Sequence, residues 1–261
     1  MTIKKSEIDF NFKNQFIEYQ SNLKGFDHKI FNKFNQKSED LNLFKKIKDL
    51  KDGKEVNATE NKPAIHMQQR EEYSSADNIQ PNTVDHNLVD FDKIETFKNI
   101  IVIGIGGSYE GPKLIFESLR SPDLNYRFEF ITGSDPQEFS YKTSNLKPEE
   151  TCFFVSSKSF TTDETIANLK IAINWSKDIA NFVAITSNRA EAEKYGIENI
   201  LEFDDDIGGR YSIWSIISQP VFIGNKEAFY LFNKGGNKAD KDFLEDHKYL
   251  EFIKYLSFSD I

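Results

Sequence analysis

Residues 99–104 read NIIVIG, a short β-branched apolar run that ends in glycine. Similar runs recur downstream, and stretches with helical spacing lie between them. Strands are predicted at 99–104, 127–131, 151–156, 181–186 and 199–203, and helices near 111–120, 135–144, 162–177 and 211–219. Strands that alternate with helices indicate βαβ units. We therefore expect an α/β fold, a three-layer sandwich with a parallel sheet and helices on both faces.

The N-terminal part of the sequence is more polar, with scattered apolar residues. One amphipathic helix is predicted from four residues at helical spacing, Phe12, Phe16, Tyr19 and Leu23. A second is predicted from Leu41 to Leu50, with Gly53 just after its end. Residues 71–90 show little periodicity and predict a long surface loop.

These patterns divide the chain into three segments. Residues 1–95 are expected to form a helical region with its loop, and residues 96–225 the α/β domain. Residues 226–261 would begin a further segment, with a helical stretch from Phe243 to Leu256.

Composition excludes several classes of protein. The 261 residues carry a formal net charge of −9, which argues against general binding to nucleic acid or anionic membranes. No run reaches the ~18 apolar residues of a membrane span, and residues 1–10 do not resemble a signal peptide. Cys152, the one cysteine, is predicted to be a small core residue in a reducing compartment. We expect a soluble, cytoplasmic protein.

In parallel sheets, ligands bind in the loops at the carboxyl ends of the strands. The first such loop, GIGGSYEGP at 104–112, has three glycines that let a ligand approach the backbone, and Ser108 adds a hydroxyl. A plain tight strand-to-helix turn is the alternative. The spacing fits neither a Walker loop nor the dinucleotide fingerprint.

The second loop, SSKSFTTDET at 156–165, combines hydroxyl residues with Lys158 at the start of a predicted helix. Hydroxyls, a cation and a helix N-terminus are the groups that bind a phosphate monoester. An elaborate N-cap with solvated hydroxyls is the alternative.

The third loop begins with three consecutive acids, 204–206, and continues as GGRYSIWS at 208–215. The acids invite a metal site, but no histidine stands nearby and a solvated acidic turn is the favoured reading. Arg210 follows two glycines and could face a developing oxyanion. A surface ion pair is the other reading.

Together the loops resemble the phosphoglucose isomerase (glucose-6-phosphate isomerase) family. The matching segments are 103–108 (IGIGGS), 157–165 (SKSFTTDET) and 208–215 (GGRYSIWS), with 59–66 (TENKPAIH) similar to the segment before the family's first sugar isomerase (SIS) domain. The resemblance covers roughly residues 50 to 220. It implies a flavodoxin-like SIS fold.

The resemblance also implies roles for individual residues. Arg210 would be catalytic and would stabilise the enediolate formed between glucose 6-phosphate and fructose 6-phosphate. The phosphate and the sugar would be held by Gly107, Ser108, Ser157, Lys158, Ser159 and Thr162. The reaction would need neither metal nor organic cofactor, and the complete enzyme would be a homodimer.

The sequence departs from the family in three respects. Tyr109-Glu110 and Ser159 differ from the commoner residues of their motifs. The third departure is length. Family members are much longer and contain a second SIS domain, which carries the family's proton-shuttling glutamate, ring-opening histidine and late lysine. Residues 220–261 carry no motif that matches them, and Glu227 and His247 are predicted to be surface residues. A truncated product, a split enzyme or a fragment is therefore expected.

Three functions remain open at this point. The first is the isomerase, with this chain supplying the phosphate grip and Arg210. The second is a non-catalytic sugar-phosphate-binding module, although residues 1–95 show no basic recognition helix of a DNA-binding regulator. The third is another sugar-phosphate enzyme on the same scaffold, against which the third loop argues.

Overall fold

The computed structural model describes residues 9–15, 17–58, 60–74, 91–119 and 125–259. Phe16, Thr59 and most of the predicted 71–90 loop fall outside these ranges, as does the side chain of His247. In the part of the chain that is described, no helix combines the length and apolar character needed to cross a bilayer.

The N-terminal segment forms a β-hairpin, so the predicted amphipathic helix is wrong. Strand β1 (Phe10–Lys13) pairs antiparallel with β2 (Glu18–Ser21), and Phe12 lies opposite Tyr19. Phe12 is buried, whereas its strand neighbours are exposed. Phe12 and Tyr19 are seven residues apart, which also fits the spacing of a helix, but in the hairpin they lie opposite each other on the two strands.

Helices follow the hairpin, and one of them was predicted. The helix predicted from Leu41 to Leu50 is confirmed as α2, and Gly53 follows it at φ +69°. The Asp27 side chain caps α1, which the sequence did not predict, and α3 occupies the first residues of the predicted 71–90 loop. The bounds are α1 His28–Asp40, α2 Leu43–Lys51, α3 His66–Tyr73 and α4 Phe91–Ile94.

The centre of the fold is a five-stranded parallel sheet, as predicted. The strands are β3 (Asn99–Ile103), β4 (Arg127–Ile131), β5 (Thr151–Ser156), β6 (Phe182–Thr186) and β7 (Asn199–Glu202). Their order is β4-β3-β5-β6-β7, the order of flavodoxin-like sheets. The chain runs from β3 to one side and then returns to the other. The loops that leave β3 and β5 therefore meet at the switch point, where ligands of such sheets bind.

Helices cover both faces of the sheet and complete three layers. The helices on and around the sheet are α5 Glu110–Leu119, α6 Pro136–Thr143, α7 Asp163–Ser176 and α8 Arg189–Glu193. Alternate strand residues point to opposite sides: Val102 and Phe154 join the core under α5, and Ile103 and Val155 the core under α7. Cys152 is a core residue, as predicted, and burial raises the pKa of its thiol to about 12.

The segment after β7 differs from the helix predicted at 211–219. It forms two 3₁₀ segments, Gly209–Trp214 and Ile216–Phe222, that meet at Ser215. Ser215 has an extended backbone, and its hydroxyl donates to the carbonyl of Ser212 at 2.6 Å. Serine hydroxyls that bond the local backbone compete with an α-helix, which explains the difference.

Two helices close the chain and pack on the N-terminal segment. The helical stretch predicted from Phe243 to Leu256 divides at Asp246 between α9 (Lys226–Glu245) and α10 (His247–Ser259). From α10, the Phe252 ring stacks on Phe12 of the hairpin at 4.4 Å. The partners of the hairpin thus come from the other end of the sequence.

Candidate functional site

The first loop is shaped by close approach to the third. After β3 the chain passes Gly104 and makes a short 3₁₀ turn, Gly106–Ser108, into α5. A Cβ on Gly107 would lie 2.2 Å from the carbonyl oxygen of Gly209 and 2.9 Å from the Ser212 hydroxyl. That hydroxyl donates to the carbonyls of Gly107 (3.1 Å) and Gly209 (2.8 Å). The glycine therefore permits a contact between two loops as well as a turn.

The second loop is organised by its own hydroxyls. Ser157 and Thr162 share a hydrogen bond of 3.1 Å, and the Ser157 hydroxyl also accepts from the Phe160 N–H. Thr162 takes the N-cap position of α7, but its side chain makes no capping bond. The hydroxyls are thus not arranged as the elaborate N-cap that was the alternative reading. The first N–H groups of α7 remain available for an anion.

The loop is fixed at its centre by Lys158 and Phe160. The Lys158 carbonyl accepts hydrogen bonds from the hydroxyls of Thr186 (2.9 Å) and Ser187 (2.8 Å) at the end of β6. Phe160 adopts a left-handed backbone, φ +55°, with its side chain 1% exposed in the core under α7. Burial of that ring stabilises a conformation that a bulky residue ordinarily avoids.

Two adjoining cavities lie where the loops meet. The smaller, about 190 Å³, has among its lining residues five of those predicted from the sequence, Gly107, Ser108, Ser157, Lys158 and Thr162. The larger cleft, about 970 Å³, is lined by Arg210, His66 and Glu60 among others. Gly107, Gly209 and Ser212 line both. The arrangement offers a polar pocket for a small anion beside a wider cleft that carries an arginine.

Two predicted site residues lie outside the smaller cavity. Ser159 lines neither cavity, and its hydroxyl accepts from the Thr161 hydroxyl at 2.8 Å. Arg210 is exposed in the larger cleft and makes no ion pair with any residue that the structure describes. The surface ion pair that was the alternative reading of Arg210 is therefore not formed among these residues.

Two hydroxyls in the smaller cavity belong to the predicted loop 156–165 but were given no individual role from the sequence. Ser156 and Thr165 are each 1% exposed, and neither hydroxyl has a hydrogen-bond partner among the described residues. Both line the cavity. A buried hydroxyl without a partner is costly, so these groups are available to a bound molecule. The signal in the sequence was a serine ending an otherwise apolar strand.

His66 was also given no role from the sequence. Its ring stacks on Tyr211 at 4.3 Å and lines the larger cleft, while Nδ1 is buried without a partner in the described structure. Burial, and to a lesser degree the charge of Arg70, lowers its pKa to about 4. The imidazole is therefore neutral at neutral pH and holds Tyr211, the neighbour of Arg210, by an uncharged stack.

Lys158, which lines the smaller cavity, belongs to a cluster of charged side chains. Lys158 Nζ lies 3.2 Å from an Asp205 carboxylate oxygen, and Lys62 pairs with the same carboxylate. The Lys62 hydrogen bond, and after it the contacts of Lys158, hold the pKa of Asp205 below its usual range. Asp205 is exposed, as expected for a solvated acidic turn, and it is also an ion-pair partner of two lysines.

The sequence is similar to known proteins over most of its length. The family model described as phosphoglucose isomerase matches residues 20–251. The glucose-6-phosphate isomerase of Zymomonas mobilis is 31% identical over 240 residues, which are 82% of this chain and 47% of that protein. That of Bordetella petrii is 33% identical over 215 residues, 75% of this chain and 40% of that protein. The chain spans less than half the length of these relatives.

Structural comparison gives the same picture. A glucose-6-phosphate isomerase from Chlamydia trachomatis superimposes with a TM-score of 0.73 at 26% identity, covering 84% of this chain and 47% of that one. A hypothetical protein from Thermus thermophilus gives a TM-score of 0.64 at 22% identity, covering 82% of this chain and 51% of that one. The second likeness concerns the fold alone.

Proposed function

Because the chain belongs to the phosphoglucose isomerase family, we propose that it supplies the sugar-phosphate grip for the reversible isomerisation of glucose 6-phosphate and fructose 6-phosphate. The observation that carries the proposal is the smaller cavity, where the hydroxyl loop before α7 meets the glycine loop after β3. A phosphate monoester there would accept from hydroxyls and from free N–H groups at a helix N-terminus.

Each predicted residue has a role in this proposal. Ser157 and Thr162, with the backbone around Lys158, hold the phosphate, and Ser159, which lines neither cavity, supports the loop through its hydrogen bond with Thr161. Gly107 and Ser108 line the sugar side of the pocket. Ser156 and Thr165 join this set because their buried hydroxyls line the same cavity without partners among the described residues.

Arg210 stabilises the oxyanion that forms beside the reacting carbons. Isomerisation moves a proton between C1 and C2 through an enediolate, whose oxyanion needs a nearby positive charge. The guanidinium lies in the cleft that adjoins the phosphate cavity through Gly107 and Gly209, and no described carboxylate neutralises it. The proton itself requires a placed base, and we propose that this group comes from a second sugar isomerase domain.

Assembly and location form part of the same proposal. We propose that the complete enzyme is a homodimer and works in the cytoplasm, where the lone buried thiol of Cys152 stays reduced. Light scattering of the purified complete enzyme gives the mass that tests the dimer, and a monomer would refute it.

The test is proton NMR of fructose 6-phosphate in D₂O with the purified chain. We expect broadened substrate signals, with conversion to glucose 6-phosphate deuterated at C2 only when the second domain is supplied. Conversion by the chain alone would refute the assignment of the base to another domain. Neither broadening nor conversion would refute the phosphate grip.

Variants separate the two parts of the site. Ser157→Ala should weaken the binding of fructose 6-phosphate by about tenfold, the effect of one hydrogen bond to a charged group. In the complemented enzyme, Arg210→Ala should abolish most turnover. Arg189→Ala is the matched control, because Arg189 pairs with Glu202 and lines neither cavity. Unchanged turnover in the Arg210 variant would remove its assigned role.

A second candidate is a non-catalytic module that binds sugar phosphates. It is favoured by the lining of the smaller cavity, which includes hydroxyls and Lys158 but no carboxylate or imidazole among the described residues. Broadening that persists without conversion, even when the second domain is supplied, would support this candidate over the isomerase.

A further inference from the structure

The ammonium group of Lys158 is already occupied by acceptors from the protein. It donates to the main-chain carbonyl of Asp205 at 2.6 Å and lies 3.2 Å from the Asp205 carboxylate. A Glu60 carboxylate oxygen stands 3.9 Å away, beyond hydrogen-bond distance. A lysine ammonium has three N–H donors, and two oxygens of Asp205 lie within hydrogen-bond distance of this one. The charge of Lys158 is therefore engaged by Asp205 of the third loop.

The two ends of Lys158 are fixed to different parts of the fold. Its carbonyl accepts hydrogen bonds from Thr186 and Ser187, so the main chain is tied to the end of β6. Its ammonium is tied to Asp205, in the loop that leads from β7 to Arg210. The side chain thus spans from the second loop, residues 156–165 (the phosphate loop), to the third loop, residues 204–215 (the arginine loop).

Asp205 is held from a second direction as well. Lys62, in the segment before α3, pairs with the same carboxylate. Next to it, the Asp206 carbonyl accepts from the Ile65 N–H at 3.2 Å. The stretch before Arg210 is therefore bound both to the phosphate loop and to the segment that carries His66.

We propose that Lys158 and Asp205 form a lock that sets the arginine loop against the phosphate loop, with Asp205 as a positioning residue for Arg210. The phosphate is then held by the hydroxyls and N–H groups of residues 156–165, without the Lys158 ammonium. The lock deepens the proposed function and rests on it for its ligand, but its structural effect can be measured without ligand.

Hydrogen exchange of the ligand-free chain tests the lock directly. In Lys158→Met and in Asp205→Asn, we expect amide exchange across 206–211 to rise by about threefold to fivefold, the effect of losing partly exposed ion pairs. Lys158→Met loses the contacts with Asp205, and Asp205→Asn loses the carboxylate pairs with Lys158 and Lys62. Asp163→Asn is the control, because it removes the same charge at the start of α7 without touching Lys158. Unchanged exchange in both lock variants would overturn the proposal.

Two ligands then separate a lock from a direct phosphate contact. Inorganic phosphate touches only the phosphate loop, so both lock variants should bind it within about twofold of wild type. Fructose 6-phosphate reaches towards both loops and should bind about fivefold more weakly. The double variant keeps the wild-type net charge, and its loss should be smaller than the sum of the two single losses, because both single variants remove the contact between Lys158 and the Asp205 carboxylate.

The opposite pattern would refute the lock. If Lys158→Met loses phosphate affinity while Asp205→Asn gains it, the ammonium is a phosphate ligand for which Asp205 competes. If the wild-type chain binds neither ligand, the proposed function fails, and the exchange measurement still decides the lock.

Discussion

Substitution of Gly107 by alanine tests the contact on which the two-cavity site depends. The added Cβ would lie 2.2 Å from the Gly209 oxygen and 2.8 Å from its carbonyl carbon. Both are backbone atoms that cannot rotate aside, so the first and third loops must separate. Overpacking of this kind costs about 1 to 3 kcal/mol. Weakening the hydrogen bond from Ser212 to the Gly107 carbonyl adds about 1 kcal/mol.

The expected loss is therefore about 2 to 4 kcal/mol of unfolding free energy, or a fall in Tm of about 5 to 15 °C for a chain of this size. Urea and thermal unfolding measure it. Gly209→Ala is the matched control on the opposite loop, because a Cβ there meets nothing within 4 Å. Equal stability of the two variants would refute the reasoning that the loops are in contact through Gly107.

Three further perturbations address the parts of the fold that hold the site. The pKa of His66 in the folded chain is about 4, below the ordinary 6.5. Between these two pH values the unfolded chain therefore binds more protons than the folded chain. The free energy of unfolding should fall by up to about 3 kcal/mol as the pH drops through this window. His66→Phe should flatten that part of the urea-unfolding profile, and an unchanged profile would contradict the assignment. Tyr255→Phe removes two hydrogen bonds to the hairpin segment and should cost about 1 to 2 kcal/mol, whereas the 81% exposed Tyr141 should tolerate the same change. Arg70→Lys should cost about 2 kcal/mol in thermal unfolding, because lysine cannot reproduce the two 2.7 Å bonds to Asp240; an unaltered Tm would show that charge alone suffices.

The sheet could be predicted from the sequence because the residue pattern that defines each strand lies within a short stretch of the chain. Each buried strand is a short β-branched or aromatic run, and the predicted 127–131 and 151–156 match β4 and β5 residue for residue. The glycine and hydroxyl loops follow from the same logic, since parallel strands bring their carboxyl ends to one edge. For the same reason the residues predicted for the phosphate pocket mostly line one cavity.

The remaining features depend on partners that are distant in the sequence. The hairpin was mistaken for a helix because the rings that bury Phe12 belong to α10. The ion pairs of the exposed Asp205 could not be predicted, because its partners Lys62 and Lys158 lie far from it along the chain. Local spacing carries no signal for such contacts.

The two halves of the site depend on different amounts of the chain. The phosphate loop is anchored within the sheet, on the end of β6. The loop that carries Arg210 is instead held by residues outside the sheet domain. Tyr211 stacks on His66, and Trp214 contacts both Arg70 of α3 and Phe232 of α9. A piece cut at the predicted boundaries of 96 and 225 keeps the residues that line the smaller cavity. It loses His66, Arg70 and Phe232, which contact the two aromatic residues that follow Arg210. Under the proposed function, anion capture needs only residues 96–225, whereas the alignment of Arg210 needs the flanking segments on both sides.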